Sequence, residues 1–199
     1  MKKYVAFCYL LTMGLIVTSC VDSNKKAKDA TNNQTAENGF KEVKVGNEYF
    51  LSLPDFMENA RGLNNQASLQ YQNTDKEIYT IVIGEPKARL EPLLKPTKGK
   101  HADKSLISMY TEIQMRLLSE AVDIKTKSTS VPLKIDGMEA EMVELTGAVP
   151  GIEEDIFYLL TLIEGKAKIY MVMSYTLSSE KENHVAAFKH IANSFKLVE

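Results

Sequence analysis

The sequence predicts an α+β fold, a mainly antiparallel sheet with helices packed on its faces. Three observations predict it. Short runs of alternating or wholly apolar character are joined by tight turns at Gly46-Asn47, Asp136-Gly137 and Glu164-Gly165-Lys166. Strands joined so closely must pair antiparallel, because a parallel crossover needs a dozen or more residues. Two further segments, near 103–121 and 179–195, carry apolar residues at helical spacing instead. Such helices bury one stripe each and must lay it against the sheet.

The chain opens differently. Lys2 and Lys3 precede a mostly apolar run from Tyr4 to Val17, and Val17-Thr18-Ser19-Cys20 follows. A helix needs about 20 apolar residues to span the hydrocarbon core, so this run reads instead as the h-region of an export signal. The Val-Thr-Ser-Cys ending resembles the lipobox of bacterial lipoproteins. The resemblance implies removal of residues 1–19 and acylation of Cys20, whose thiolate takes a diacylglycerol. One chain binds membranes reversibly and two or more anchor stably. By the same resemblance, Val21 in place of Asp implies the outer membrane; the domain is expected to face the periplasm, although the residues themselves do not decide between periplasm and cell exterior.

Residues 20–39 are rich in Asp, Ser, Asn, Lys, Ala and Thr and lack aromatics. They cannot bury enough apolar surface to offset ordering entropy and are expected to be a flexible tether. The domain occupies 40–199. Without Lys2 and Lys3, the 24 basic residues become 22 against 26 acidic, a formal charge of −4. That balance argues against nucleic acid, whose binding rests on cationic contacts to phosphate. Cys8 falls in the signal and Cys20 at the anchor, so no thiol remains for a disulfide, a nucleophile or a metal. Roughly 160 residues suffice for a core, burying about 70% of the unfolded surface.

Within the domain, Lys41–Val45 and Glu48–Leu53 are expected as a hairpin closed by Gly46-Asn47, with Pro54 ending the second strand. Ala67–Gln72 and Glu77–Gly84 follow as strands, and Pro86, Pro92 and Pro96 break up a long connection. Asp103 is expected to cap a helix reaching about Ala121, with its apolar face on Ile107, Tyr110, Leu117 and Leu118. Ile124–Ile135 reads as one strand, and Met138–Leu145 returns after Asp136-Gly137. Ile156–Ile163 is apolar on both faces and should be a central, doubly covered strand, paired with Ala167–Thr176. Ser179 and Glu182 form a capping box pattern for a last helix, whose stripe is Val185, Phe188, Ile191, Ala192 and Phe195.

Several of these residues together resemble the PsbP-like family, a fold shared by the extrinsic protein of photosystem II and a Ran-binding nuclear import factor. They are Phe50-Leu51-Ser52-Leu53-Pro54, the Ile135–Ala140 hairpin, the paired strands 156–163 and 167–176, and the closing Asn193-Ser194-Phe195-Lys196. The family's aromatic-rich segment after the early proline reads here Asp55-Phe56-Met57. The resemblance implies an α/β/α sandwich over residues 40–199 and an accessory or partner-binding role.

Catalytic and metal patterns are sparse. His184 and His190 stand about 240° apart around a helix and share no face; His101 with Asp103 reads as a solvated loop. Glu153-Glu154-Asp155 lacks the spacing of a calcium loop, and no Gly-x-Ser-x-Gly elbow or Gly-rich phosphate loop occurs. Met171 and Met173 read as core packing. No metal and no cofactor is expected. The notable cluster is Lys95, Lys98, Lys100, His101 and Lys104, five basic groups in ten residues of an acidic chain, opposed by Asp103. It reads as a docking loop for an anionic partner or lipid head groups. The leading expectation is a lipid-anchored, non-catalytic envelope module that binds a protein. The alternatives are a periplasmic hydrolase with a spatially assembled site, and a carrier of a lipid or other apolar molecule. An apolar cavity of several hundred cubic ångströms would mark the carrier.

Overall fold

The structure, a computed structural model, describes residues 34–36, 39–90 and 104–199. In chain order the elements are β1 (Gln34–Ala36), β2 (Phe40–Val45), β3 (Tyr49–Pro54), β4 (Glu58–Asn59), β5 (Leu69–Asn73), β6 (Ile78–Pro86), α1 (Lys87–Leu90) and α2 (Leu106–Leu118). Then come β7 (Asp123–Lys127), β8 (Val131–Ile135), β9 (Met138–Ala148), β10 (Ile156–Glu164), β11 (Lys168–Leu177), a 3₁₀ turn at Ser178–Glu180, α3 (Lys181–Asn193) and β12 (Lys196–Leu197). The larger sheet runs β4-β5-β6-β11-β10-β9-β7, with β8 also on β9; the smaller runs β1-β2-β3-β12. The pairings are antiparallel, as the short connections require.

β10 lies between β11 and β9, and each residue from Ile156 to Ile163 is buried. That is the expected central strand. One core covers its first face: Tyr110, Met115 and Leu118 of α2 pack with Ile83, Leu160 and Leu162 of the sheet. A second core covers the other: Phe188 and Ile191 of α3, with Leu51 and Leu53 of the small sheet, pack with Phe157, Leu159 and Val172. The fold is therefore an α+β sandwich. α2 lies on one side of the large sheet; α3 and the small sheet lie on the other.

Several boundaries differ from the sequence expectation, each for a local reason. Ser105, not Asp103, caps α2, its hydroxyl accepting the Ser108 N–H at 3.2 Å; Asp103 lies outside the described residues. The helix also stops at Leu118, and its buried side is Ile107, Tyr110, Thr111, Gln114, Met115 and Leu118. Its polar groups are accommodated because Thr111 Oγ1 donates to the Ile107 carbonyl at 2.9 Å, Tyr110 Oη donates to Glu85 Oε1 at 2.9 Å, and the Gln114 side chain hydrogen-bonds to the Tyr110 hydroxyl. The capping box at Ser179 does not form. Ser178–Glu180 winds as a 3₁₀ turn, and the Ser179 N–H donates instead to Glu154 Oε1 at 2.7 Å.

The expected strand Ile124–Ile135 is two strands. β9 is long enough to pair with β8 along Met138–Met142 and with β7 along Leu145–Ala148. Between them Ser128 turns the chain, its N–H donating to the Glu144 carbonyl at 2.8 Å and its hydroxyl accepting the Glu144 N–H at 3.0 Å. β8 and β9 are joined at Asp136 and Gly137, both with positive φ, the geometry of a type I′ turn. β1 lies within the segment read as a tether, where Gln34 pairs with Glu42 and Ala36 with Phe40. β12 extends the chain past α3 onto β3.

Side chains pin the small sheet to the large one. Lys168 Nζ donates to both carboxylate oxygens of Glu48, at 2.7 and 2.8 Å. Tyr170 donates to the same carboxylate at 3.4 Å, and burial, then the Glu48 charge, pushes its hydroxyl pKa up to about 12. Tyr49, Tyr170 and Phe195 form one aromatic cluster, with centroids 4.9 to 5.4 Å apart: Tyr49 stacks on Phe195 and meets Tyr170 edge-on.

Candidate docking site at the root of helix α2

The first turn of α2 collects the polar groups of the upper core. Glu141 points from β9 toward α2, on the face it shares with Val143 and Leu145, and is only 7% exposed. Its two oxygens are held from different segments. Ser108 Oγ, in the first turn of α2, donates to Oε1; Ser130 Oγ, between β7 and β8, donates to Oε2 at 2.6 Å. Ser105 Oγ donates to Ser108 Oγ at 3.1 Å, completing a chain of hydroxyls to the carboxylate. A buried charge needs such partners, and the N-terminus of a helix favours a negative group. Glu141 thus ties α2 to both β9 and the β7–β8 connection.

Lys104 stands immediately before this turn and ion-pairs with Glu112 in the second turn of the helix. It is the described member of the predicted docking cluster; Lys95, Lys98, Lys100 and His101 lie outside the described residues, as does Cys20. The other end of that segment is fixed as well. α1 closes on buried Leu90, in the same core as Ile107. Lys87 holds α1 to the β10–β11 end, with its ammonium 2.6 Å from Glu164 Oε1 and its N–H donating to the Ala167 carbonyl at 2.9 Å. The described residues on either side of the basic segment, Leu90 and the first turn of α2, thus both lie on the α2 side of the large sheet.

The remaining candidates are placed elsewhere. His184 is buried on α3, with its ring 6.3 Å from Phe188, and the exposed His190 lies 4.1 Å from the Phe40 ring. Both are on the α3 side, across the sheet from Ser108 and Ser130, so neither serine has one of these histidines as a base. Asp155 is taken by Lys125 Nζ at 2.7 and 2.9 Å, and Glu154 by the Ser179 N–H. Among the described residues no group of three His, Cys, Asp or Glu side chains could hold a metal. Met171 and Met173 are core residues, as read from their alternation.

A small cleft opens at the far end of the α2 face, lined by Glu77, Tyr79, Ile152, Ile156, Tyr158 and Tyr175 among others. Tyr79 and Tyr175 stack at 5.0 Å, and Tyr79 donates to Glu77 Oε2 at 2.9 Å. Burial, then the Glu77 carboxylate, raises the Tyr79 hydroxyl above the ordinary phenol range, and burial does the same to Tyr158. The cleft volume of about 10 Å³ is room for roughly one water, far below a carrier cavity.

Sequence reading missed Glu141 with Ser108 and Ser130. The available signal was a carboxylate at position 141 on the same alternation as Val143 and Leu145, an inward face where charge is costly.

The architecture has known counterparts. The chain is similar in structure to cyanobacterial PsbP (CyanoP) from Synechocystis sp. PCC 6803, with a TM-score of 0.54 and 12% identity over 89% of this chain and 98% of that one. It is more distantly similar to LpqN, involved in cell envelope biogenesis of Mycobacterium tuberculosis (TM-score 0.47, 11% identity, 82% and 94% covered). The Ran-binding protein Mog1p of Saccharomyces cerevisiae gives a TM-score of 0.46 and 13% identity, covering 85% and 97%. At such identities the likeness to CyanoP bears on fold alone, and that fold is PsbP-like. No protein-family model matches the chain, and no curated protein matches it in sequence.

Proposed function

We propose that this protein is a non-catalytic binding module of the cell envelope, anchored to the outer membrane through acylated Cys20. It docks an anionic protein partner through Lys95, Lys98, Lys100, His101 and Lys104. The observation that carries this reading is the double anchoring of the basic segment. Leu90 at one end and the capped first turn of α2 at the other are fixed to a single core. Positive charge concentrated between two rigid points can meet a complementary surface at a lower ordering cost than charge on a free end. The Val17-Thr18-Ser19-Cys20 run supports the anchor, and no helix among the described residues is long and apolar enough to cross a membrane.

The experiment is crosslinking of the full chain in its native envelope, with adducts identified by mass spectrometry. Cys20→Ala and a charge-reversed Lys95→Glu/Lys98→Glu/Lys100→Glu variant serve as comparisons. One abundant protein adduct, lost in both variants, is the expected result. An adduct undiminished by charge reversal removes the docking role of the segment. Acylation absent from Cys20 removes the anchor.

A further inference from the structure

The small sheet has an inner face and an outer face. Val43, Tyr49, Leu51 and Leu53 point inward to the second core. The alternate residues Glu42, Lys44 and Phe50 therefore point outward, whereas Phe40 at the start of β2 packs against the second core and against His190. On that outer face the register sets Lys44 opposite Phe50 and Phe50 opposite Lys196, one row across three strands. Lys44 and Lys196 are exposed and Phe50 is half-buried. Lys44 Nζ lies 5.3 Å from the Phe50 ring centroid. The spacing between strands puts the two lysines about 10 Å apart, on either side of an aromatic ring. Glu42, one row along, is the carboxylate that shares the face.

The chain enters the domain beside this row. Gln34 of β1 pairs with Glu42, two residues from Lys44. Only residues 21–33 separate β1 from Cys20, a contour of at most about 50 Å even fully extended. Whatever surface receives an acyl group on Cys20 is thus within reach of the small sheet, and the attachment point lies at its edge.

We propose that the outer face of the small sheet rests on the anionic headgroups of the membrane that holds Cys20, with Lys44 and Lys196 as cationic contacts and Phe50 between them. The proposal depends on the anchor reading given above and adds an orientation to it. Lysine stems lie along an apolar surface while their ammonium groups reach phosphate, and each such group near an anionic leaflet strengthens association about fivefold. Two groups hold a free protein weakly. They suffice to orient one whose local concentration is already fixed by a tether. The orientation has a consequence for docking. The small sheet and α2 lie on opposite faces of the large sheet, so a domain seated on its small sheet turns the root of α2 away from the membrane, toward partners.

The test uses the purified full-length product, whose intact mass first reports acylation of Cys20. It is reconstituted into vesicles of phosphatidylcholine alone or with phosphatidylglycerol, and a membrane-impermeant amine reagent labels its lysines. Modification of Lys44 and Lys196, relative to exposed Lys127 on the far edge of the sheet, is expected to slow several-fold in the anionic vesicles and to recover in the neutral ones. Equal reactivity in both overturns the proposal. So does protection found in native envelopes but not in anionic vesicles, which assigns the face to a protein. If the mass shows no acyl chain, the anchor reading fails by itself. The face is then decided by co-sedimentation of that product with phosphatidylglycerol vesicles: about fivefold weaker association for Lys44→Gln and for Lys196→Gln supports it, and no association sinks it.

Discussion

The two sides of the large sheet are packed by different chemistry. The α3 side is closed by aromatic and aliphatic groups: Phe157 lies parallel to Phe188 at 6.4 Å, and Tyr49, Tyr170 and Phe195 cluster in the same core. Of its buried hydroxyls, Thr80 and Ser174 satisfy each other at 2.9 Å, whereas those of Thr161 and Thr176 have no hydrogen-bond partner. The α2 side differs in burying a carboxylate that links separate segments, Glu141 to Ser108 and Ser130, and in bonding the Tyr110 hydroxyl to Glu85. Apolar contact is cheap to satisfy and insensitive to direction. A buried carboxylate fixes its partners to particular positions and penalises any arrangement that leaves it unpaired. The α3 side thus supplies stability, whereas the α2 side sets the geometry of the surface from which the basic segment emerges.

Removing an aromatic from the α3 side should break the comparison most severely. Phe188 is fully buried between α3 and β10. Phe188→Ala is expected to cost about 3–5 kcal/mol through lost transfer energy and an unfilled cavity. Denaturant titration should show the midpoint falling with little change in slope. A loss below about 1 kcal/mol would mean that α3 is not part of the cooperative core.

Glu141→Ala should have a smaller but more localised effect. It leaves Ser108 and Ser130 without their acceptor, an expected cost of about 1.5–3 kcal/mol for hydrogen bonds to a charged group. Because the carboxylate joins two segments, amide exchange should accelerate in the first turn of α2 and around Ser130, while β10 and β11 keep their protection. A double-mutant cycle of Glu141→Ala with Ser130→Ala should give a non-zero coupling energy. Additive effects would show that the 2.6 Å contact contributes nothing.

This contrast also marks what could be read from the sequence. The α3 side was legible because its determinants are periodic. The unbroken apolar run Ile156–Ile163 announces a strand covered on both faces, and Phe188, Ile191 and Phe195 recur at the spacing of one helical stripe. The α2 side was legible only in outline. Its helix was recognised, yet its cap was assigned to Asp103 rather than Ser105, because Ser, Asp and Asn are near-equal caps and tertiary contacts choose among them. The Ser179 cap failed for a related reason: a carboxylate 25 residues away, Glu154, took the N–H. The division of 124–135 into β7 and β8 depends on the length of β9, a property of a different segment. Glu141 draws its partners from Ser108 and Ser130, 33 and 11 residues distant, and no local pattern encodes that meeting.

The smallest expected effect concerns the rim between the two sides. Glu144 reaches from β9 to Lys189 at 2.9 Å and Lys181 at 3.1 Å, while Lys181 also lies 4.7 Å from the Phe157 ring. Burial raises the Glu144 pKa, but hydrogen bonds and charge from the two lysines outweigh it and leave the carboxyl below its ordinary value. The sign follows from linkage. A carboxyl whose pKa is lower folded than unfolded stabilises fully above the unfolded pKa, and that contribution fades as pH falls through the folded one. Glu144→Gln should therefore lower stability at neutral pH by about 1 kcal/mol or less, with the difference from the unmodified chain vanishing in acid. Lys134 and Glu139, 2.9 Å apart but 67% and 62% exposed, provide the contrast. Water and salt screen that pair, so Lys134→Ala should leave the unfolding midpoint nearly unchanged at neutral pH. Unfolding titrations from neutral pH into acid separate the cases. If Glu144→Gln shifts stability by the same amount at every pH, the lysine clasp is no stronger than a surface pair, and α3 is held to β9 by packing alone.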